Sequence, residues 1–137
     1  MKIIIDTNII LDFFLSREPY AADAKQLFEM IYREKIDAFT TASSITDIYY
    51  ITAKRLGRNF ARGVVKQLLD IVGVVAVDGD DCINAINLPM ADFEDALVTI
   101  CAYKKDISFI VSHDKDFLQS DFKHVKVIKF QELLTLM

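Results

Sequence analysis

The chain has 137 residues, of which 53% are hydrophobic and 26% are charged, and its formal net charge is -4. This length suits one domain, residues 1–137, built around one good hydrophobic core. The longest stretch without a charged side chain runs only from Cys82 to Ala91, far short of the roughly 18 residues that a membrane span needs. A signal peptide is not expected, because Asp6 interrupts the apolar run that begins at Ile3.

The two cysteines and the overall charge limit which cellular compartment and which binding partners are expected. Cys82 and Cys101 show neither a metal-ligand spacing nor a redox motif. We therefore expect a reduced protein in the cytoplasm. The acidic balance of the whole chain does not by itself indicate nucleic-acid binding.

Short apolar runs alternate along the chain with segments of helical periodicity. The predicted strands are residues 2–5, 38–41, 74–77, 109–111 and 126–128. The predicted helices are residues 8–15, a segment from Pro19, a segment from Ser43 or Ser44 to Gly57, residues 60–71, a segment from Asp80 or Asp81 that stops before Pro89, and residues 92–105 and 131–136. This alternation predicts an α/β fold in three layers, with helices on both faces of a central parallel sheet.

Four aspartates stand just after predicted strands or in the first turn of predicted helices. Asp6 and Asp114 follow strands, whereas Asp47 and Asp95 lie near helix starts. A parallel sheet brings all these positions to its carboxyl edge, where open α/β folds place their sites. One such acid could simply cap a helix or match its dipole. Four at one edge would repel each other, which predicts a hard divalent cation with oxygen ligands.

Further acids lie close to these four in sequence. Asp92 and Asp95 are three residues apart and should share a helix face, whereas Glu94 should point elsewhere. Asp116 lies two residues after Asp114 and could replace it in the site. We therefore expect Asp92 to support the site and leave the choice between Asp114 and Asp116 open.

Three uncharged polar residues could also support the site. Thr7 and Asn8 follow Asp6 directly and could hold its carboxylate or position a water molecule, and Ser112 could do the same. Helix capping explains Thr7 and Asn8 equally well. Their role stays open on these grounds.

In this order, the acidic segments resemble the motifs of PIN-domain ribonucleases. The matching segments are Asp6-Thr7-Asn8, Ser43 to Asp47, Asp92 to Leu97, and Ser112 to Phe117. The resemblance covers the chain from residue 2 to the last helix, and the size is similar to that of VapC-like toxins from type II toxin–antitoxin pairs. It implies a PIN-like fold and metal-assisted hydrolysis of RNA phosphodiester bonds.

The resemblance also implies roles for individual residues. Asp6, Asp47, Asp95 and Asp114 would be catalytic, and all but Asp47 would bind Mg²⁺ or Mn²⁺ directly. The family often has Glu where Asp47 stands, and the shorter side chain could reach the metal through water. The family often has Thr-Arg-Asp or Thr-Arg-Asn where this chain has Ser-His-Asp, so a basic phosphate contact is either missing or supplied by His113.

The same resemblance implies RNA as the substrate and a cognate antitoxin as a partner. A homodimer is expected as well, because the apolar content is high for a chain too short to bury all of it. The antitoxin would insert an amphipathic segment into a groove near the acidic edge.

One segment is basic in this acidic chain. No acid occurs between Asp47 and Asp70, and Arg58, Arg62 and Lys66 recur at every fourth residue on a predicted helix. They could contact RNA phosphates. They could equally form an ordinary solvated helix face.

Other functions compete with the nuclease. A receiver-type signalling domain needs adjacent acids after the first strand, and an aspartate-nucleophile phosphatase needs a second acid two residues after the first. Thr7 and Asn8 occupy those places. A non-catalytic PIN-like binding module stays open, because Asp47 replaces the longer Glu.

Overall fold

The computed structural model describes residues 1–137 and is built on one sheet of five strands. The strands are β1 (Lys2–Ile5), β2 (Asp37–Thr41), β3 (Gly73–Val75), β4 (Phe109–Val111) and β5 (Lys126–Ile128). Their spatial order is β3-β2-β1-β4-β5, and every neighbouring pair is parallel. The predicted parallel sheet is therefore confirmed, with β1 at its centre.

Eight helices connect or follow the strands. They are α1 (Thr7–Phe14), α2 (Ala21–Tyr32), α3 (Ala42–Leu56), α4 (Arg58–Ile71), α5 (Gly79–Ile86), α6 (Phe93–Lys104), α7 (Lys115–Leu118) and α8 (Phe130–Thr135). Seven correspond to predicted helices, although α2 begins two residues after Pro19. The short helix α7 was not predicted, because a single turn is too short for apolar periodicity to reveal.

Alternate residues of β1 supply the cores on the two faces of the sheet. Ile3 and Ile5 pack with helices α1 to α4 and α8, whereas Ile4 packs with α6 and α7. Successive side chains of a strand point to opposite faces, so one run of isoleucines fills two cores. Helix α5 packs on the outer side of α6. The predicted three-layer α/β/α arrangement is confirmed.

Helix α6 is enclosed along most of its length. Every residue from Ala96 to Ala102 is buried, with one side against the sheet and another against α5. Only its first turn, at the carboxyl edge of the sheet, carries acidic residues. The fold therefore places those acids beside the end of β1. No helix in the protein is long and apolar enough to cross a bilayer.

Candidate active site

Asp6 lies at the centre of the carboxyl edge and is only 6% exposed. Its backbone N–H donates to the Val111 carbonyl across 3.0 Å, and its carboxylate accepts a 2.7 Å hydrogen bond from Ser112 Oγ. Burial raises the pKa of Asp6 above its usual range, although hydrogen bonds from Ser112 and Thr7 oppose the shift. The negative charge of Asp114 raises it further. The central acid is thus buried next to another carboxylate.

Asp95 lies in the first turn of α6, close enough to Asp6 for the two negative charges to repel each other. Its backbone N–H donates to Asp92 Oδ1 at 3.1 Å, so Asp92 caps the helix. Burial, followed by repulsion from neighbouring carboxylates, raises the pKa of Asp95 to about 7. The repelling groups are Asp92, Asp6, Asp114 and Asp116. The structure therefore brings together acids that lie far apart in the sequence.

Asp114 and Asp116 both face the same cavity as Asp92 and Asp95, of about 320 Å³. Asp114 caps α7, accepting from the Asp116 N–H at 2.9 Å, and its own N–H donates to Ser112 Oγ at 3.1 Å. Asp114 is thus tied through Ser112 to Asp6, whereas Asp116 is exposed at the rim. The geometry favours Asp114 as the inner acid and Asp116 as an outer one.

Glu94 lies inside the site, and the expectation that it points elsewhere was wrong. Thr7 Oγ1 donates to Glu94 Oε1 at 3.0 Å, and Ser44 Oγ lies 3.5 Å from the same oxygen. Burial is the main cause that raises the pKa of Glu94 to about 8. The neighbouring carboxyl of Asp47 raises this pKa further, and the charge of Asp6 adds a smaller increase. The expectation assumed that only one face of α6 meets the site. Because α6 is enclosed on several sides, Glu94 and Asp95 both face the protein, on either side of the end of β1.

The remaining supporting residues divide into two groups. Thr7 is buried and binds Glu94, and Ser112 is fully buried between the two strand-end aspartates. Asn8 is exposed and faces Arg17, which donates to its carbonyl at 3.0 Å and its side-chain oxygen at 3.3 Å. Thr7 and Ser112 therefore hold site carboxylates, whereas the Asn8 side chain forms no hydrogen bond with Asp6.

A second buried carboxylate, Asp12, was missed in the sequence. It is 1% exposed and hydrogen-bonds Arg17 Nε at 2.8 Å and His113 Nε2 at 2.6 Å. The Tyr20 ring stacks on His113, with centroids 3.7 Å apart and planes inclined by 5°. The sequence does contain a signal for this buried pair, because Asp12 is a single acid within an apolar run and Arg17 follows it five residues later.

The basic residues predicted to contact RNA lie on α4. Gly57 separates α3 from α4 with φ of 91°, a conformation that favours glycine. Arg58 and Arg62 line a cleft with Tyr49 and Asn59, and Lys66 is exposed further along the helix. None of the three forms an ion pair with an acid, so their charges are free to meet a polyanion.

The donor chemistry of the site suits a hard divalent cation. The clustered side chains offer only oxygen, and none of Asp6, Asp95 and Asp114 forms an ion pair, although nearby His113 slightly offsets the raised pKa of Asp6. As the side chains stand, no three acids converge on one point at ligand distance. The fit therefore rests on the donor set and its electrostatics.

The PIN-domain family model matches residues 2–116, which include every acid of this site. This chain belongs to the PIN-domain family. The resemblance seen in the sequence is thereby confirmed, and the match begins at β1 and ends at Asp116. The last strand and α8 lie outside it.

Individual relatives agree with the family match. Ribonuclease VapC1 of Aquifex aeolicus is 26% identical over 136 residues, covering 96% of this chain and 94% of the relative. Mycobacterium tuberculosis VapC20, a toxin that cleaves the sarcin-ricin loop, is 21% identical with a TM-score of 0.72, covering 90% and 98%. The DNA-bound VapBC structure from Salmonella typhimurium matches at 13% identity and a TM-score of 0.69, covering 95% and 98%. The two solved structures establish the shared fold.

Proposed function

We propose that this protein is a divalent-metal-dependent endoribonuclease and the toxin of a toxin–antitoxin pair. The observation that carries the proposal is the cluster of carboxylates at the carboxyl edge of the sheet, where burial and mutual repulsion raise the pKa of Asp95 to about 7. PIN-family membership and the likeness to a VapC ribonuclease support the choice of RNA as substrate.

Asp6, Asp95 and Asp114 would hold the metal, with Asp92 and Asp116 supporting them. When bound, the metal would polarise the scissile phosphate and lower the pKa of a water molecule. Ser112 orients Asp6 through its 2.7 Å hydrogen bond. The three ligands therefore come from the ends of β1 and β4 and from the start of α6.

Asp47 and Glu94 form the other half of the site. Burial and the neighbouring carboxyl of Asp47 raise the pKa of Glu94 to about 8. A carboxyl whose pKa lies this close to neutral pH can, once ionised, accept a proton from an attacking water molecule. Thr7 keeps Glu94 in place through its 3.0 Å hydrogen bond. We assign Asp47 its catalytic role through this pair.

The decisive experiment is cleavage of single-stranded and hairpin RNA by the purified protein. We expect cleavage with Mg²⁺ or Mn²⁺, none with EDTA, and loss of activity in Asp6→Asn. Asp37→Asn is the matched control, because Asp37 is exposed at the opposite edge of the sheet. Metal-independent cleavage, or full activity in Asp6→Asn, would contradict the proposal. Parallel titrations with the two metals identify the preferred one.

The toxin assignment requires a neutralising protein partner. Large apolar side chains remain exposed on α5, where Ile83 and Ile86 are 60% and 68% exposed. Exposed apolar surface of this kind suits a protein interface, and VapBC complexes are among the structures that share this fold. We expect a homodimer that binds an antitoxin, whose amphipathic segment places a basic side chain among the carboxylates. A monomer by light scattering that no antitoxin inhibits would contradict this.

A further inference from the structure

A second cavity, of about 250 Å³, lies on the other side of the segment that carries Asp114. Its floor is apolar and includes Ile9, Leu27 and Phe130, whereas its rim is polar. This volume is just below the range of about 300–1,000 Å³ that is usual for ligand pockets, so the cavity suits one small, flat group rather than a larger ligand. Neither the metal site nor the basic face of α4 uses it.

An aromatic pair forms one wall of this cavity. Tyr20 stacks in parallel on His113, and Asp12 holds the histidine ring through a 2.6 Å hydrogen bond. Tyr20 is 41% exposed, so one ring face is covered by His113 while part of the side chain is open to solvent. Because its position is fixed by His113, the Tyr20 ring can stack on a further aromatic group.

The charges at the rim favour an anionic chain. Lys115 and Lys129 line the cavity, are exposed and have no ion-pair partner. Of the two acids that also line it, Asp12 is paired with Arg17 and His113, whereas Asp23 keeps its charge because Gln131 gives it only a neutral hydrogen bond. The two lysines outnumber the one acid without a counter-ion, so the net charge at the rim is positive.

The cavity is joined to the carboxylate cluster through one residue. Ser112 lines the cavity and donates to Asp6 at 2.7 Å, and the next residues, His113 and Asp114, face the cavity and the acidic site respectively. A strand whose phosphate lies at the acids would therefore pass directly over the rim.

We infer that this cavity binds one nucleobase of a single-stranded RNA, adjacent to the phosphate that is cleaved, with the base stacked on Tyr20. The inference rests on the proposed nuclease function and adds a place for the substrate. Proteins commonly bind unpaired bases by stacking them on aromatic side chains. Lys115 and Lys129 would contact the flanking phosphates, while Asp12 acts as a positioning residue that holds the His113–Tyr20 stack.

The test uses short single-stranded RNAs that each carry 2-aminopurine at a different position, because stacking quenches its fluorescence. Binding is measured on an Asp95→Asn background, which prevents cleavage. We expect quenching at one position. Tyr20→Leu should abolish that quenching and weaken binding about fivefold or more, whereas Tyr20→Phe should preserve both. Tyr32→Leu is the matched control, because Tyr32 is a 77% exposed tyrosine at the far end of α2.

The outcomes separate this inference from the proposed function. The nucleobase site is overturned if no position is quenched, or if Tyr20→Leu binds and quenches as well as the Asp95→Asn protein without it. Either result would leave metal-dependent cleavage by the wild type intact. Chemical modification of Tyr20 offers a further test. If a cognate antitoxin blocks this modification and RNA does not, the nucleobase site is overturned as well, because the cavity would then bind a peptide. Quenching lost in Tyr20→Leu but kept in Tyr20→Phe and Tyr32→Leu supports it.

Discussion

Buried carboxylates occur in two kinds of surroundings in this protein. Asp12 is paired with Arg17 and His113, and Asp81 is paired with Lys104 at 2.5 Å. Asp6 is also buried but has a hydroxyl and another carboxylate as neighbours. Burying a charge without a counter-ion is costly, and elsewhere the fold supplies the cation. At the carboxyl edge of the sheet the cation has to come from outside.

The largest effect is expected where that external cation binds. Asp95→Asn should lower RNA cleavage by about 10²–10³-fold, the range found when one stabilising group is removed from an active site. Removing a charge that its neighbours repel should leave thermal stability without metal unchanged or higher. Initial rates and metal-free melting curves check both expectations. Wild-type cleavage by Asp95→Asn would contradict the metal site.

The opposite result is expected at the paired carboxylate. Asp12→Asn leaves Arg17 and His113, which are both partly exposed, without their charged partner, and losing a hydrogen bond to a charged group costs about 1.5–3 kcal/mol in free energy of unfolding. Urea denaturation measures the loss. Glu29→Gln is a suitable control, because the ion pair of Glu29 with Arg33 is exposed and should contribute less than about 1 kcal/mol. Equal stability of Asp12→Asn and the wild type would contradict the distinction between the two regions.

The pH dependence of stability should report the same repulsion. Burial and neighbouring acids raise the pKa of Asp95 to about 7 and of Glu94 to about 8. Between their ordinary values and these raised ones, the folded state holds protons that the unfolded chain has released. The contribution of these groups to the free energy of unfolding therefore falls as pH rises from about 4 to about 8.

Melting curves without metal should accordingly shift to lower temperature as pH rises from about 4 to about 8, the range between the ordinary and the raised pKa values. Mg²⁺ or Mn²⁺ should reverse the shift at the higher pH, because bound metal favours the ionised carboxylates. Glu94→Gln should reduce the shift, whereas Asp37→Asn should not. A melting temperature that is insensitive to metal at the higher pH would argue against a metal among these acids.

The smallest effect is expected on α4. Replacing Arg58, Arg62 and Lys66 together by Gln should weaken RNA binding and lower its salt dependence by up to about 0.7 for each phosphate interaction removed. Metal binding should not change, because these residues lie on α4 and the proposed ligands do not. Titrations at several salt concentrations, on the Asp95→Asn background, give the slope. An unchanged slope would mean that this helix face is merely solvated.

Much of this architecture was predictable from local patterns. The isoleucines of β1 and the acids after β1 and β4 carry strong signals, because buried parallel strands are continuous apolar runs and their ends converge. Glu94 was misjudged because a helical-face argument assumes that a helix has an outer side, and α6 is enclosed. The stack of Tyr20 on His113 joins residues far apart in the chain, and no local pattern reveals such a pair.

The hydroxyl of Ser112 has a consequence for the synthesis of the protein. It joins Asp6, which follows β1, to the backbone of Asp114, which the ribosome adds much later, after β4. A nascent chain that ends before β4 has Asp6 but lacks Val111, Ser112 and Asp114. The carboxylate cluster therefore forms only after translation has passed β4. A ribosome making this protein carries an incomplete nuclease until β4 can pair with β1.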